Sequence, residues 1–577
     1  MKVRVLAVLL LVSLSAPLSH AQIPSETDVT STPVPNAGHD YIQGMSETVN
    51  PANGSLSIRI GVPMPPARGL TLPFSFAYDS NGSIYLGVPL CGGCSEPENG
   101  VTWLSTSSML ARGGWSYSVP MLSVQDDSFS VQYTLPNEQE STFVCHGRDN
   151  FVLQDAAGNR RNLGLSYYNQ NAYCQNSQAV QTLTSLYGKL LAQTSGTWTQ
   201  TANNDLGSVN PVTVTEADGI SYNFGPASAP GDYTCSGSPC TATTYPPGSV
   251  NDANGNGVSI SFTAGSQSNP ALSYTDSIGR PVLSIPTFGA NPDTITVYGY
   301  ANPYKVTWTT VQPDFTVTLQ PVPGNSDTCT YPSTQPSIPV ISSIELPNGE
   351  SYTFDYSNNP YGMVDKITYP TGAYVRYTWE LNRQSEYGQW PVVTDNDGTD
   401  QVTGYCQYYY DTPAIYQRFV SYDGVHEVLE QTFSYQTTWN QPPGNVEQWS
   451  SKETTVLTQD LIRQTQSTTS YTYASVYADP QPGVHQAPPA QIPVEATIQY
   501  DGTVASGGGN GSPLKIVMES WLNERIMTQE QTQLPNGQTS VTNWQYYPTT
   551  GTGGFYQSTA LTNVNTGYYA TDPKPKN

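Results

Sequence analysis

The stretch that decides the fold class is Leu346-Pro-Asn-Gly349-Glu-Ser-Tyr352-Thr-Phe354-Asp-Tyr356, followed by Ile367-Thr-Tyr-Pro370-Thr-Gly372 and then by Val375, Tyr377 and Trp379 at alternate positions. Asn-Gly accepts positive φ, so the chain reverses there with the hand that suits twisted strands. After each glycine, apolar and polar residues alternate, as on a strand with one buried face. Because 23 positions separate Gly349 from Gly372, the pattern predicts one antiparallel hairpin per repeat.

The same unit, a turn ending in glycine and then an alternating strand, recurs along the chain. The predicted turn glycines are Gly219, Gly257, Gly279, Gly349 and Gly372, with a weaker copy at Gly537. A single hairpin exposes an apolar face and two unpaired edges, and stacking hairpins removes both problems. We therefore predict an all-β fold in which antiparallel hairpin repeats form a spiralling sheet, a β-solenoid or a shell, with few or no helices.

These motifs resemble the Rhs or YD-repeat family, whose units combine a Tyr-Asp pair, an Asp-x-x-Gly turn and a Gly-x-x-Tyr-x-Tyr strand. Tyr78-Asp79-Ser-Asn-Gly82 and Tyr274-Thr-Asp276-Ser-Ile-Gly279 are similar to the turn half, and residues 346–372 are similar to the strand half. Asn50-Pro-Ala-Asn-Gly54 resembles the segment that leads into such arrays. The likeness spans residues 41–547 and is dense only between 218 and 379.

The resemblance implies a β-sheet spiral or hollow shell of the kind found in bacterial cell-surface proteins and toxin-enclosing cocoons. The chain departs from the cocoon pattern because it lacks a recognisable core-closing segment with a self-cleaving aspartyl site. It also lacks a toxic C-terminal module. The resemblance therefore does not extend to toxin delivery by this chain alone.

Composition shifts and turn signals divide the chain into eight predicted regions. They are a signal peptide (1–21), a lead-in (22–55), an N-terminal β region (56–210), a YD-like repeat region (211–400), a β-rich region (401–504), a Gly-rich linker or loop (505–512), C-terminal β hairpins (513–566) and a disordered tail (567–577). One segment is ambiguous: residues 178–193 fit an amphipathic helix, and their threonines and Gly188 fit a hairpin as well.

The N-terminus and the charge predict an exported protein that does not bind nucleic acid. Lys2 and Arg4 precede an apolar run and small residues follow at Ser19 and Ala21, which is typical of a cleaved signal. The net charge of −24 would repel a phosphate backbone. We expect a secreted, cell-surface or periplasmic protein with no transmembrane segment in its mature chain.

Eight cysteines, an even number in an exported chain, indicate disulfides more than metal ligands. They are Cys91, Cys94, Cys145, Cys174, Cys235, Cys240, Cys329 and Cys406. Their pairing stays open, because eight cysteines allow 105 connectivities.

Searches for catalytic motifs find no constellation, so we expect a non-catalytic protein without an obligate cofactor. His426-Glu427-Val-Leu-Glu430 begins like a zinc motif but lacks the second histidine. Asp252-Ala-Asn-Gly-Asn256 copies the start of a calcium loop and reads better as a turn. The weak calcium candidate is Asp395, Asp397 and Asp400, three carboxylates within six residues.

These observations lead to three hypotheses for function. The first is a secreted scaffold, adhesin or shell component of the Rhs/YD-repeat type, whose partner is another β-repeat chain. The second is a carbohydrate-binding surface protein that uses exposed tyrosine or tryptophan rings to hold a cell-surface glycan. The third is a glycoside-active enzyme, which requires two carboxylates facing a cleft.

Overall fold

A computed structural model describes residues 42–543, with gaps at 44, 66–69, 88–101, 109, 135–139, 156–159, 163–166, 169–181, 188–189, 196–210, 217–218, 226–241, 264–269, 317–318, 322–334, 397–398, 441–447, 477–489, 504–512 and 523–525. Parts of several strands are described by their backbone only. The described residues form strands, turns and one short 3-10 turn (Ser80–Gly82), and contain no α-helix.

The first sheet, which we call the N-terminal sheet, has seven strands in the order β1-β2-β3-β4-β9-β8-β7. Its strands are β1 (Ile42–Gln43), β2 (Glu47–Asn50), β3 (Ser55–Val62), β4 (Phe74–Asp79), β7 (Ser107–Ser108), β8 (Ala111–Arg112) and β9 (Trp115–Ser118). Between them, β5 (Tyr85–Gly87) and β6 (Thr102–Leu104) pair as a separate hairpin. The alternation in β3 and β4 places Leu56, Ile58, Phe74 and Phe76 in the core.

A second sheet continues from the N-terminal sheet along the chain. It consists of β10 (Met121–Thr134), β11 (Glu140–Gln154), β12 (Arg160–Asn162), β13 (Tyr167–Tyr168) and β18 (Ala242–Tyr245). All of its printed pairings are antiparallel.

The third sheet, which we call the long sheet, has 23 strands and follows the chain order almost throughout. Its strands are β14 (Thr182–Tyr187), β15 (Leu190–Ser195), β16 (Val212–Thr215), β17 (Ser221–Phe224), β19 (Ser249–Asn251), β20 (Gly257–Thr263), β21 (Ala271–Asp276), β22 (Pro281–Ile285), β23 (Asp293–Val297), β24 (Tyr304–Val311), β25 (Leu319–Pro321), β26 (Ile338–Glu345), β27 (Ser351–Asp355), β28 (Lys366–Thr368), β29 (Tyr374–Asn396), β30 (Thr399–Ser421), β31 (Leu429–Asn440), β32 (Gln448–Asp460), β33 (Thr465–Val476), β34 (Ala490–Thr503), β35 (Pro513–Leu522), β36 (Ile526–Gln533) and β37 (Thr539–Asn543). Beyond this order, β24 pairs with β26, and β25 pairs with β30.

One turn geometry recurs along one end of the long sheet. In each copy the first residue donates its N–H to the carbonyl of the fifth, and the fourth residue donates back to the first. The copies are Glu216–Ile220, Asp252–Asn256, Asp276–Arg280, Leu346–Glu350, Tyr369–Ala373 and Leu534–Gln538. With β26 paired directly to β24, the first strand of each turn is separated from the first strand of every other turn by an even number of positions in the sheet. Because antiparallel neighbours alternate in direction, all six turns lie at the same end of the strands.

The fourth residue of every such turn has positive φ, which only glycine adopts without strain. Gly219, Gly279, Gly349 and Gly372 have φ between 79° and 88°, and Gly537 has 77°. In the second copy this residue is Gly255, with φ of 81°, and the predicted Gly257 is instead the first residue of β20. The alternation after Gly257 suggested the wrong glycine, because two Asn-Gly pairs follow one another at 254–257.

The N-terminal sheet packs against the centre of the long sheet and forms the second layer of the core. Ring pairs join the two layers, among them Trp115 with Phe354 (4.6 Å between centroids) and Tyr117 with Phe288 (4.9 Å). The N-terminal sheet and the centre of the long sheet thereby remove their facing apolar side chains from water. Among the described side chains, Tyr473 on β33 is the last buried apolar one.

The all-β prediction with antiparallel hairpins is confirmed. Within the ambiguous segment 178–193, residues 182–187 and 190–193 lie in the paired strands β14 and β15, so this described part of the segment is strand and not helix. The predicted signal peptide (1–21), the predicted linker or loop (505–512) and the predicted tail (567–577) lie outside the described residues. The predicted boundary at residue 400 falls inside the paired hairpin β29–β30.

Candidate functional site

The strongest polar constellation among the described residues lies between the two core layers, at Glu47 on β2 and Arg418 on β30. Arg418 Nη2 lies 2.5 Å from Glu47 Oε1, and the two side chains are 5% and 0% exposed. Tyr369 donates its hydroxyl to Glu47 Oε2 at 2.8 Å. The backbone N–H groups of Met45 and Ser46 donate to the same oxygen at 3.0 and 3.1 Å. The carboxylate is therefore held by charge and by three further donors.

The arginine side of this constellation reaches the next strand of the long sheet. Arg418 Nη1 donates to Gln431 Oε1 at 2.8 Å. Burial raises the pKa of the neighbouring Tyr377 hydroxyl well above its ordinary value, and the Glu47 charge raises it further. Tyr377 therefore stays neutral beside the ion pair. A buried pair of this kind fixes the register of two layers more than it adds stability, because desolvation offsets much of the attraction.

A second buried carboxyl, Asp293, stands at the start of β23 in the same interlayer space. Its Oδ2 accepts from the Tyr117 hydroxyl (2.7 Å), the Gly289 N–H (3.0 Å) and Trp308 Nε1 (3.0 Å). Its Oδ1 has no hydrogen-bond partner among the described residues. Burial raises the pKa of Asp293, and the three donors lower it only in part. Tyr117 comes from the N-terminal sheet, so this carboxyl also joins the two layers.

Two further contacts join the layers without charge. Trp115 donates Nε1–H to the Tyr356 hydroxyl at 2.8 Å, and Tyr356 donates to the Ile341 carbonyl at 2.7 Å. The Ile415 N–H donates to the Gly54 carbonyl at 2.9 Å. These buried donors and acceptors are satisfied across the interface, as native interiors require.

This arrangement is suited to holding sheets together and poorly suited to catalysis. Glu47 and Asp293 are 2% and 0% exposed, so a substrate has no access to either carboxyl. Within the described part of the chain, no group of three or more metal-ligating side chains is found. Sequence reasoning missed Glu47, Arg418 and Asp293. The alternation of inward and outward positions could have indicated Glu47. It lies two residues before the buried Val49 and therefore on the same inward face of β2.

Two of the predicted calcium residues, Asp395 and Asp400, lie near the ends of β29 and β30. Asp395 and Asp400 are opposite one another in the backbone register. Asp397 and the side chains of the other two lie outside the described residues. The structure therefore gives no coordination geometry for this candidate.

The other acidic motifs form surface turns. Asp252 accepts from the backbone of Asn254 and Asn256, both at 2.8 Å, which is a local turn contact. Glu427 pairs with Arg376 at 2.5 Å, and the His426 ring contacts Asp423 at 2.8 Å. Glu430 accepts a hydrogen bond from Gln417 Nε2 at 3.2 Å, so the three residues of the zinc-like motif make three separate contacts.

The predicted disulfide cysteines are beyond what the structure describes at the side-chain level. Cys145 and Cys406 have a described backbone on β11 and β30. The remaining six, Cys91, Cys94, Cys174, Cys235, Cys240 and Cys329, lie in the gaps. Disulfide formation by these cysteines stays a prediction, and their pairing stays open.

Exposed aromatic rings are few among the described residues and lie at turns. They are Tyr298, Tyr300 and Tyr422, at 47%, 40% and 65% exposure. Arg280 stacks on the Tyr298 ring with its guanidinium 5.0 Å from the centroid. Trp103, Trp115, Trp308 and Trp379 are buried and belong to the core, whereas Trp439 is half-buried.

Comparison with known proteins adds little to this geometry. No protein-family profile and no curated protein sequence matches the chain. A porin-like protein from Bacteroides uniformis ATCC 8492 matches at 12% identity over 51% of this chain and 96% of that chain, with a TM-score of 0.16. A likeness at this TM-score supports no statement about fold or function. In the described residues, no helix combines the length and apolar character needed to cross a membrane.

Proposed function

We propose that the chain is a secreted, non-catalytic β-repeat scaffold, adhesin or shell component of the cell surface. One observation carries this proposal. Three buried ionisable groups, Glu47, Arg418 and Asp293, take part in hydrogen bonds that cross the interface between the two sheets. Groups placed in this way orient layers and have no path to a substrate.

The repeated turn supports the same proposal. Six turns with one hydrogen-bonding scheme join neighbouring strands of the long sheet, so the same hairpin unit is used repeatedly along it. Repetition of one unit produces a long sheet with a regular surface. A scaffold needs both the length and the regular surface.

The glycoside-active alternative predicts turnover that depends on a carboxyl pair. The test is an assay of the purified chain against a panel of aryl glycosides, together with the variants Glu47→Gln and Asp293→Asn. The scaffold proposal expects no turnover from any of the three proteins, and lower thermal stability in Glu47→Gln. Turnover by the parent chain that either variant abolishes would overturn the proposal.

The carbohydrate-binding alternative is tested by a glycan array with the parent chain and the double variant Tyr298→Ala/Tyr300→Ala. These two tyrosines are the exposed rings nearest to one another in sequence. If the chain is a scaffold, the array should show no glycan binding that is lost in the double variant. Saturable binding to one glycan class, lost in the double variant at unchanged melting temperature, would establish lectin function in place of it.

A further inference from the structure

The last three strands of the long sheet, β35–β37, extend beyond the second layer, and we call them the C-terminal extension. None of the described side chains in β35–β37 is buried, and all five residues of β37 are exposed. Three of the exposed large apolar side chains, Leu514, Leu534 and Val541, belong to this extension or to its last turn. The described side chains of the extension are thus exposed or half-buried, in contrast to the buried side chains at the centre of the long sheet.

The outer strand of this extension lacks several of the features that usually discourage the pairing of an edge strand. Among the described strands, β37 pairs with β36 alone, and no described strand pairs with its other edge. Natural edge strands are blunted by lysine, proline, a bulge or an inward charge. The sequence of β37, Thr-Ser-Val-Thr-Asn, has no charge and no proline, and its pairing with β36 has no register shift.

We propose that two copies of this chain associate through β37, whose strands pair antiparallel about a two-fold axis at Val541. In this register Val541 faces its own counterpart, Ser540 faces Thr542 and Thr539 faces Asn543. Every pair is compatible: an apolar pair at the centre, and hydroxyl and amide pairs around it. The strand is self-complementary, which an isologous interface requires.

The charge distribution favours a second copy at this edge over another place on the surface. The chain as a whole carries −24, so most surfaces of two copies repel one another. β37 is neutral, whereas β35 contains Lys515 and Glu519 and β36 contains Glu530. The association should strengthen with ionic strength, because salt screens the repulsion between the remaining surfaces.

The interface joins the long sheets of two copies into one continuous sheet. In the proposed scaffold role, the partner of the chain is therefore a second copy of itself. The interface builds on that role, but the two are tested separately. Association is measured by mass and not by turnover or glycan binding. A monomeric chain would leave the scaffold proposal standing, and a catalytic chain would leave the association result standing.

The first test is sedimentation equilibrium of the full chain and of two valine-to-lysine variants. Val541→Lys places two like charges opposite one another, so we expect the dimer dissociation constant to rise by more than about tenfold. Val425→Lys is the matched control, because Val425 is also exposed, at 73%, but lies in a distant turn between β30 and β31. We expect it to dimerise like the parent. Both positions are exposed, so melting temperatures should confirm that both variants fold.

The second test fixes the register with single cysteines. Val541→Cys should form a 541–541 disulfide under mild oxidation, because facing residues of paired strands have Cβ atoms about 4.5–5.5 Å apart. Thr539→Cys should not link to itself, since the two copies of residue 539 are separated by about four residues of strand. Mass spectrometry of the linked peptides gives the readout.

Several outcomes would overturn the proposal. One is a full chain that stays monomeric at all concentrations. This holds even if a chain that lacks residues 544–577 does dimerise. Another is a dimer that Val541→Lys leaves unchanged. Equal self-linking by Thr539→Cys and Val541→Cys would also overturn it, because the association would then lack this register.

Discussion

Two turns with the same first four residues stand in contrasting surroundings. Leu346-Pro-Asn-Gly349 lies over the covered centre of the long sheet, and Leu534-Pro-Asn-Gly537 lies in the C-terminal extension. Their hydrogen bonds agree within 0.1 Å and their glycine φ angles are 88° and 77°. The strand after the first turn leads to buried Phe354 and Tyr356, and the strand after the second is exposed throughout. Local sequence thus sets the turn, and the opposing layer sets burial.

The comparison also locates the source of stability. Hairpins gain little by themselves, and the apolar area that a second layer removes from water is the main favourable contribution. The covered centre has this layer, together with ring pairs and buried polar contacts. The extension has only its strand pairing. The following predictions test this difference, beginning with the largest expected effect.

The largest effect should follow from breaking the buried ion pair of the covered centre. Glu47→Gln keeps the side-chain volume but leaves Arg418 buried without a counter-charge, so we expect a loss of about 3–5 kcal/mol in unfolding free energy. The control is Glu345→Gln, whose partner Lys305 is 45% exposed. Its loss should stay below about 1 kcal/mol. Urea unfolding measures both, and equal losses would contradict a structural role for the buried pair.

A glycine comparison separates turn strain from interlayer contact. Gly113 and Gly537 both have positive φ, so alanine at either position is strained by about 1–2 kcal/mol. A Cβ at Gly113 would overlap the Pro339 carbonyl and the Ile338 side chain of the long sheet, whereas open space surrounds Gly537. We expect Gly113→Ala to lose a further amount of about 1–3 kcal/mol. Similar losses in the two variants would mean that the layers do not meet at Gly113.

Hydrogen exchange compares the two turns without mutation. The Leu346 N–H and the Leu534 N–H bond to carbonyls at 2.8 and 2.9 Å, so their closed states are equivalent. Opening the extension exposes no core, so we expect peptides covering Leu534–Gln538 to exchange more than about tenfold faster than those covering Leu346–Glu350. Exchange at one common rate would indicate that the long sheet opens as a single unit.

The turn and strand pattern was predictable because it depends on neighbours in sequence. Asn348-Gly349 and the alternation through Tyr356 contain the whole signal. The pairing of Glu47 with Arg418 was not predictable, since 371 positions separate the two residues. Neither local sequence contains a motif that indicates the other residue as its partner. The position of Gly255 was missed for a smaller reason, since adjacent Asn-Gly pairs offered two choices and only the hydrogen-bond register decides between them.

The smallest expected effect is a pH dependence from Asp293, which distinguishes the covered centre from exposed turns by its sign. Burial raises the folded-state pKa of Asp293 above its usual value near 4, so the folded chain holds this proton more tightly than the unfolded chain does. The resulting stability is present below the unfolded pKa and is lost as pH rises through the folded pKa. Relative to Asp293→Asn, the parent should therefore gain unfolding free energy as pH falls from 7 towards about 4.

Exposed Asp423 behaves oppositely, because the backbone and ring N–H groups of His426 lower its pKa, so its contribution to the unfolding free energy is lost in acid. Urea titrations of the parent, Asp293→Asn and Asp423→Asn at several pH values give both slopes. The same slope for both aspartates would mean that Asp293 is hydrated and that the two layers do not close over it.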